Sequence, residues 1–171
     1  MAAESVSIRP IADGDVDRVL EINQDNVPEV GSIDAGRLRF LIAESAMSLL
    51  VDVGGTTAGF CVVLPLGSTY DSVNYRWFAD RYDDVAYLDR VAFDAGFLRR
   101  GLGSILYAEV ERRLASRPGV TALALEVNVD PPNPGSLAFH ARHGFVEVGR
   151  QHTPYGITVA MMRKVVNAGP A

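Results

Sequence analysis

Between a strand pattern that ends at Phe93 and an amphipathic helix pattern that opens near Gly103, the chain reads Leu98-Arg99-Arg100-Gly101-Leu102-Gly103-Ser104. At a helix N-terminus the unpaired backbone N–H groups and the positive end of the dipole converge on one point, and glycines let an anion approach them closely. The segment predicts a phosphate-binding turn that leads from a strand into a helix. Two familiar versions of such a turn are excluded: the dinucleotide fingerprint needs a third glycine where Leu106 stands, and no Gly-Lys-Ser or Gly-Lys-Thr follows.

The flanking pattern extends this unit into a mixed α/β chain. Val6 to Arg9 reads as a strand closed by Pro10. Asp13 is positioned to cap a helix carrying Val16, Val19, Leu20 and Asn23, and Asp34 to cap a second one carrying Leu38, Leu41 and Ile42. Ser48 to Val53 and Thr57 to Leu64 read as strands joined by a Gly54-Gly55 hairpin. Residues 65 to 84 show no clean period and read as a long loop. Tyr87 to Phe93 is the next strand, Gly103 to Arg113 a helix through Ile105, Leu106, Val110 and Leu114, and Ala122 to Val129 a buried strand. Asn133 followed by Pro134 is an N-cap with proline at the first helical position, and that helix runs to about His143, where Gly144 stops it. Phe145 to Gly149 and Thr158 to Met162 complete the strands. The fold class predicted is a mixed α/β sheet with helices on its faces.

The 171 residues, 48% hydrophobic and 22% charged, suit a single domain over 1–171 with its core at about 6–163. A net charge of -5 argues against nucleic acid as a partner held by a general basic field. Cys61, alone in an apolar run, excludes an internal disulfide and a cysteine metal cluster, so no metal is expected. Val53 to Tyr70 is uncharged, yet its glycines and Pro65 break it as a membrane helix. The start Met1-Ala2-Ala3-Glu4-Ser5 lacks the basic and apolar stretches of a secretory signal. A cytoplasmic location without membrane association is expected.

The strand, the Arg-Arg-Gly-Leu-Gly turn, the helix and strand after it, and then Asn133-Pro134-Gly135-Ser136-Leu137-Ala138-Phe139-His140 with Gly144-Phe145 resemble the GCN5-related N-acetyltransferase (GNAT) superfamily. The resemblance implies the acyl-CoA N-acyltransferase fold, a twisted, mostly antiparallel mixed sheet of about six to seven strands flanked by about four helices. It further implies acetyl-CoA as acyl donor, its pyrophosphate on Arg99, Arg100, Gly101, Leu102, Gly103 and Ser104. The pantetheine arm would lie in a V-shaped gap between the strands at 87 to 93 and 122 to 129. Val91, Ala92 and Phe93 would line the cofactor on the first strand, with Asn133, Ser136, Phe139 and His140 contributing from the later helix. Leu98 departs from the family's loop, whose first position is Gln or Arg, and leaves open which arginine meets phosphate.

Acyl transfer to an amine needs the amine neutral, a donor for the developing oxyanion and a proton for the leaving thiolate. Two carboxylates compete as base. Asp89, in Tyr87-Leu88-Asp89-Arg90-Val91, is similar to the acidic segment of diamine acetyltransferases, and pairing with Arg90 is its structural alternative. Glu126, in Leu125-Glu126-Val127-Asn128, is similar to the Leu-Glu-Val segment of ribosomal-protein N-terminal acetyltransferases, and a solvated strand face is its alternative. The family's carbonyl polarisation implies a backbone N–H near Val91. His140 stands where the superfamily commonly has a tyrosine acting as general acid, and it reads either as that acid or as a histidine lining the groove.

Tyr70, Tyr75 and Trp77 in the 65 to 84 loop, with Asn128, are the acceptor-binding candidates, since aromatic faces attract cations; packing of the loop onto the core is the alternative. The acceptor expected is a primary amine, on a small molecule or a peptide, attacking directly. A catalytically inactive CoA-binding sensor and an interaction domain on the same fold are the rival functions. A homodimer through the last strands is a tendency that the resemblance implies.

Overall fold

The structure, a computed structural model, describes residues 4–167. In chain order its elements are β1 (Val6–Pro10), α1 (Val16–Asp25), α2 (Ala35–Glu44), β2 (Met47–Val53), β3 (Thr56–Leu64), α3 (Val73–Ala79), β4 (Val85–Phe93), α4 (Leu102–Ala115), β5 (Ala122–Asp130), α5 (Pro134–Arg142), β6 (Val146–His152) and β7 (Thr158–Val165). Strand pairing follows the order β1-β2-β3-β4-β5-β7-β6. The β1/β2, β2/β3, β5/β7 and β6/β7 pairs are antiparallel and β4/β5 is parallel. This is the mixed, mostly antiparallel sheet with helices that the sequence predicts.

The chain divides into two compact units. The first holds the residues through Leu64 together with Leu88–Val110. Its core is built from Val19 and Ile22 of α1, Leu38 and Leu41 of α2, and the continuous apolar run of β3, all fully buried. Each of the Val, Leu, Ile and Phe side chains among these contributes about 1.5–3 kcal/mol by leaving water. Asp34 caps α2 as expected, its Oδ1 accepting from Arg37 N at 2.7 Å. Asp13 does not cap α1: it lies 3.2 Å from Arg39, and a short 3-10 turn at Asp13–Asp15 leads into the helix. There Asp15 takes the capping part, its carboxylate accepting from Ala12 N at 2.8 Å and from Arg9 at 2.7 Å. Gly54 and Gly55, with φ of 57° and 84°, form the hairpin turn that only residues tolerant of the left-handed region can make.

The second unit holds Pro65–Tyr87 and the residues from Glu111 onward. Here the segment read as a long loop contains α3, so the described residues hold five α-helices where the resemblance implies about four. Ser72 caps α3 by accepting from Tyr75 N at 3.3 Å. The helix is seven residues long and its buried positions, Asn74, Tyr75 and Phe78, mix a polar amide with aromatics, which blurs the apolar period. The register explains where α3 rests. Glu126 pairs with Met161 and Met161 with Gly149, so these residues share one face across β5, β7 and β6. Trp77 sits against Gly149 so closely that a Cβ there would lie 2.5 Å from Trp77 Cζ2. Asn74 lies one helical turn earlier on the same side of α3 and reaches Glu126. The bare glycine lets the helix approach the strands.

Candidate active site

The turn expected to bind phosphate belongs to the first unit. Arg99 (φ 60°) and Gly101 (φ 75°) adopt left-handed backbone, and α4, 14 residues long, begins at Leu102. Its first N–H groups lack intrahelical acceptors, and the dipole adds positive potential at Leu102, Gly103 and Ser104. Arg100 lies 4.9 Å from the Phe97 ring centroid and donates to Glu4 at 3.1 Å, while Arg99 is exposed. The donor chemistry fits a pyrophosphate. On β4, Ala92 is buried and Phe93 lays its ring over Gly59, where a Cβ would stand 2.3 Å from Phe93 Cδ1. Val91 is half-buried, and Asn26, just after α1, donates to the Phe93 carbonyl at 3.0 Å.

The two candidate bases have different surroundings. The Asp89 side chain is only 4% exposed and accepts from Arg90 Nε at 2.8 Å. Arg90, itself buried, also donates to Asn23 Oδ1 at 2.8 Å and to the Gly31 carbonyl at 3.1 Å. A carboxylate held in this way serves to neutralise a buried guanidinium. Glu126 is half-buried on β5 in the second unit. Its Oε2 accepts from the Tyr87 hydroxyl at 2.6 Å and its Oε1 from Asn74 Nδ2 at 3.2 Å. Tyr87 pairs with Ala124 in the parallel ladder, so its long side chain reaches two residues further along the same face. Asn74 Nδ2 also donates to the Tyr155 hydroxyl at 3.4 Å, and Asn74 Oδ1 accepts from Gln151 Nε2 at 2.7 Å.

On α5, Asn133 Oδ1 accepts from Ser136 N at 3.1 Å, the expected cap. His140 is buried, its ring meeting Phe145 edge-on at 5.3 Å and Phe139 at 5.2 Å. Phe139 stacks on His143 at 4.1 Å. His140 Nδ1–H donates to the Ser136 carbonyl at 2.7 Å. Burial pushes the His140 imidazole below its ordinary value, against the smaller opposing pull of that carbonyl. A neutral ring with its proton on Nδ1 presents a lone pair at Nε2.

Of the acceptor candidates, Tyr70 and Tyr75 lie together, their ring centroids 5.7 Å apart. Tyr70 and Tyr75 are buried, Tyr75 donating its hydroxyl to the Pro65 carbonyl at 2.7 Å and meeting the Tyr87 ring edge-on at 5.6 Å. Trp77 packs on Gly149, on the Phe78 ring at 5.0 Å and against the Arg81 guanidinium at 4.2 Å. Asn128 is half-buried two residues beyond Glu126 on the same face of β5, its carbonyl accepting from Asn133 N at 3.0 Å. Among the described residues no group of three or more His, Cys, Asp or Glu could hold a metal ion, and no helix is long and apolar enough to cross a membrane.

The sequence pattern of the acetyltransferase (GNAT) family matches residues 16–145. The chain belongs to the GNAT acetyltransferase family. No curated protein sequence matches it significantly. Solved structures share this GNAT fold at low identity. The ribosomal-protein-S18-alanine N-acetyltransferase from Escherichia coli superposes with a TM-score of 0.75 at 19% identity, covering 97% of each chain. Ard1 from Thermoplasma volcanium gives 0.74 at 22%, covering 94% of this chain and 97% of its own. Arabidopsis thaliana NAA60, in complex with a bisubstrate analogue, gives 0.77 at 18%, covering 97% and 100%, and in complex with acetyl-CoA gives 0.75 at 18%, covering 94% and 99%.

Within this GNAT chain, sequence reasoning misses Tyr87 and Asn74, which bond Glu126, and Gln151 and Tyr155, which bond Asn74 in turn. Asn74 carries the one local signal, a polar residue that α3 buries to 4% exposure.

Proposed function

We propose that this GNAT protein transfers the acetyl group of acetyl-CoA to a primary amine by direct attack, with Glu126 as the base. The observation that carries the reading is the half-buried Glu126 carboxylate, bonded by Tyr87 and Asn74. Asp89, enclosed with Arg90, is assigned to structure.

The cofactor part falls to the turn. The backbone donors of Gly101, Leu102, Gly103 and Ser104 would bind the pyrophosphate, with Arg99 and Arg100 supplying positive charge. Val91, Ala92 and Phe93 would run beside the pantetheine, and the Val91 N–H would polarise the thioester carbonyl. Asn133, Ser136, Phe139 and His140 of the α5 segment would complete the lining.

An amine with a pKa near ~10 arrives protonated at pH 7. Glu126, directly or through a water, takes the proton, and the neutral nitrogen attacks the thioester carbon. The C–N bond forms, the second proton of the attacking nitrogen passes to water, the C–S bond breaks and the thiolate leaves. A thiol of pKa about 8.5 is an adequate leaving group that can take its proton from water. His140, with its Nδ1 proton on the Ser136 carbonyl, is given no proton-donating part. NAA60 in complex with acetyl-CoA supports the donor, and Arabidopsis thaliana Naa50 in complex with the bisubstrate analogue CoA-Ac-MVNAL supports a peptide-like acceptor class. Acetyl-CoA as donor fits a cytoplasmic setting.

The test is a panel of primary amines, including polyamines, amino acids and peptides with open N-termini, offered with acetyl-CoA and longer acyl-CoAs while thiol release is followed. Turnover with at least one amine is expected. Binding of CoA without turnover of any amine would favour a sensor, and no binding of CoA an interaction domain.

A further inference from the structure

We propose that α3 is part of the acceptor machinery and that Asn74 is a positioning residue for the Glu126 carboxylate. The inference rests on the reading of Glu126 as base. Asn74 is 4% exposed, and burying a primary amide in an apolar environment is unfavourable unless its polar atoms are bonded. Its bonds join four parts of the second unit: Nδ2 donates to Glu126 on β5 and to the Tyr155 hydroxyl in the β6–β7 connection, Oδ1 accepts from Gln151 on β6, and the residue itself is on α3.

The amide fixes direction as well as contact. A carboxylate on a strand rotates about its terminal bond over a broad range. Tyr87 bonds Oε2 from β4 and Asn74 bonds Oε1 from α3, so both oxygens are tethered and the carboxylate plane is set. The Glu126 carboxylate can only accept, so the NH2 end of the Asn74 amide faces it and Oδ1 is left to accept from Gln151 Nε2. Titratable groups placed against Glu126 include the Tyr87 phenol directly and the Tyr155 phenol through Asn74. Tyr155 is 64% exposed, so one side of this network is open to solvent. The depth of α3 on the strands is set by Trp77 against Gly149, one helical turn from Asn74.

The experiment labels the protein with glutamate carrying 13C at its carboxyl and follows each carboxyl by NMR as pH is varied. Asn74→Asp keeps the acceptor for Gln151 but faces Glu126 with a second carboxylate in place of a donor. The Glu126 titration is expected to move up by about one pH unit or more while the other glutamates titrate as in the unsubstituted protein. A Glu126 titration that stays in place, or a shift shared by all glutamates, overturns the assignment. Should Asn74→Asp fail to fold, Asn74→Ala replaces it with the same upward expectation. Activity supplies the second arm, read with the amine that turns over in the panel. Asn74→Ala is expected to lower kcat/KM about 10-fold in the native background, the scale of one bond to a charged group, and by under about 2-fold when Glu126→Gln is already present. Equal losses in both backgrounds overturn the positioning role. An unchanged rate in Glu126→Gln alone instead overturns the base, while the NMR arm still decides what Asn74 does to the carboxylate.

Discussion

The Tyr87 hydroxyl donates to Glu126 Oε2 at 2.6 Å, across a parallel strand pair in which Tyr87 is registered with Ala124 rather than with Glu126. The offset places the phenol beside the carboxylate and leaves the ring in the core, edge-on to Tyr75. Asp89, two residues after Tyr87 on the same strand, is bound to a buried arginine instead.

That contrast separates the two acids by experiment. Glu126→Gln is expected to lower kcat/KM by about 10²-fold or more at neutral pH, with CoA affinity and stability retained, as removal of a general base does. Asp89→Asn is expected to act on stability, since it leaves the Arg90 charge buried without its counter-ion; losses of about 3–5 kcal/mol are usual for such a break. Steady-state kinetics and urea denaturation on both variants check this. A stable Asp89→Asn protein with a rate loss as large as that of Glu126→Gln would reverse the assignment.

The turn is tested by Gly103→Glu, which brings bulk and negative charge to the start of α4. Acetyl-CoA is expected to raise the melting temperature of the native protein and to leave that of the variant unmoved. Gly101→Ala is the gentler case, forcing a Cβ into left-handed backbone at about 1–2 kcal/mol. Thermal scans with and without acetyl-CoA read both.

His140 gives a pH prediction. Its imidazole is pushed down in the folded protein from the ordinary 6.5, so below that pH the unfolded chain binds more protons. Its contribution to stability is therefore complete above about 6.5 and is lost as pH falls through the folded value. Denaturation free energies measured between pH 7.5 and pH 5 are expected to fall more for the native protein than for His140→Gln. Parallel slopes would contradict this.

Gly149→Ala is expected to displace Trp77, because the new Cβ would stand 2.5 Å from its Cζ2. Overpacking of this kind costs about 1–3 kcal/mol. The chain has a single tryptophan, so its emission maximum reports the displacement directly, and kcat/KM is expected to fall with it as Asn74 is carried away from Glu126. Unaltered emission in the folded variant would show that Trp77 accommodates the methyl in place.

What could be read in the sequence was what local chemistry writes there. Gly101 before α4, Asn133 and Pro134 at the start of α5, and Gly54-Gly55 between β2 and β3 each impose a backbone shape on their own neighbours. Glu126 was legible as a candidate and Asp89 was legible as its equal, because adjacency to Arg90 did not reveal that Asn23 and Gly31 would close around the pair. Ile105 fits the apolar stripe of α4 but is exposed, and Tyr107 is buried there instead. The helix α3 was illegible because its position is decided by partners 52 to 77 residues away, Glu126 and Gln151, rather than by its own period.

The fit of Trp77 on Gly149 ties two distant positions of the chain to a common inheritance. A descendant that replaced Gly149 with any larger residue would have to trade Trp77 for a smaller one in the same lineage or surrender the seat of α3. The two sites should therefore change together among related chains that carry a helix in this place.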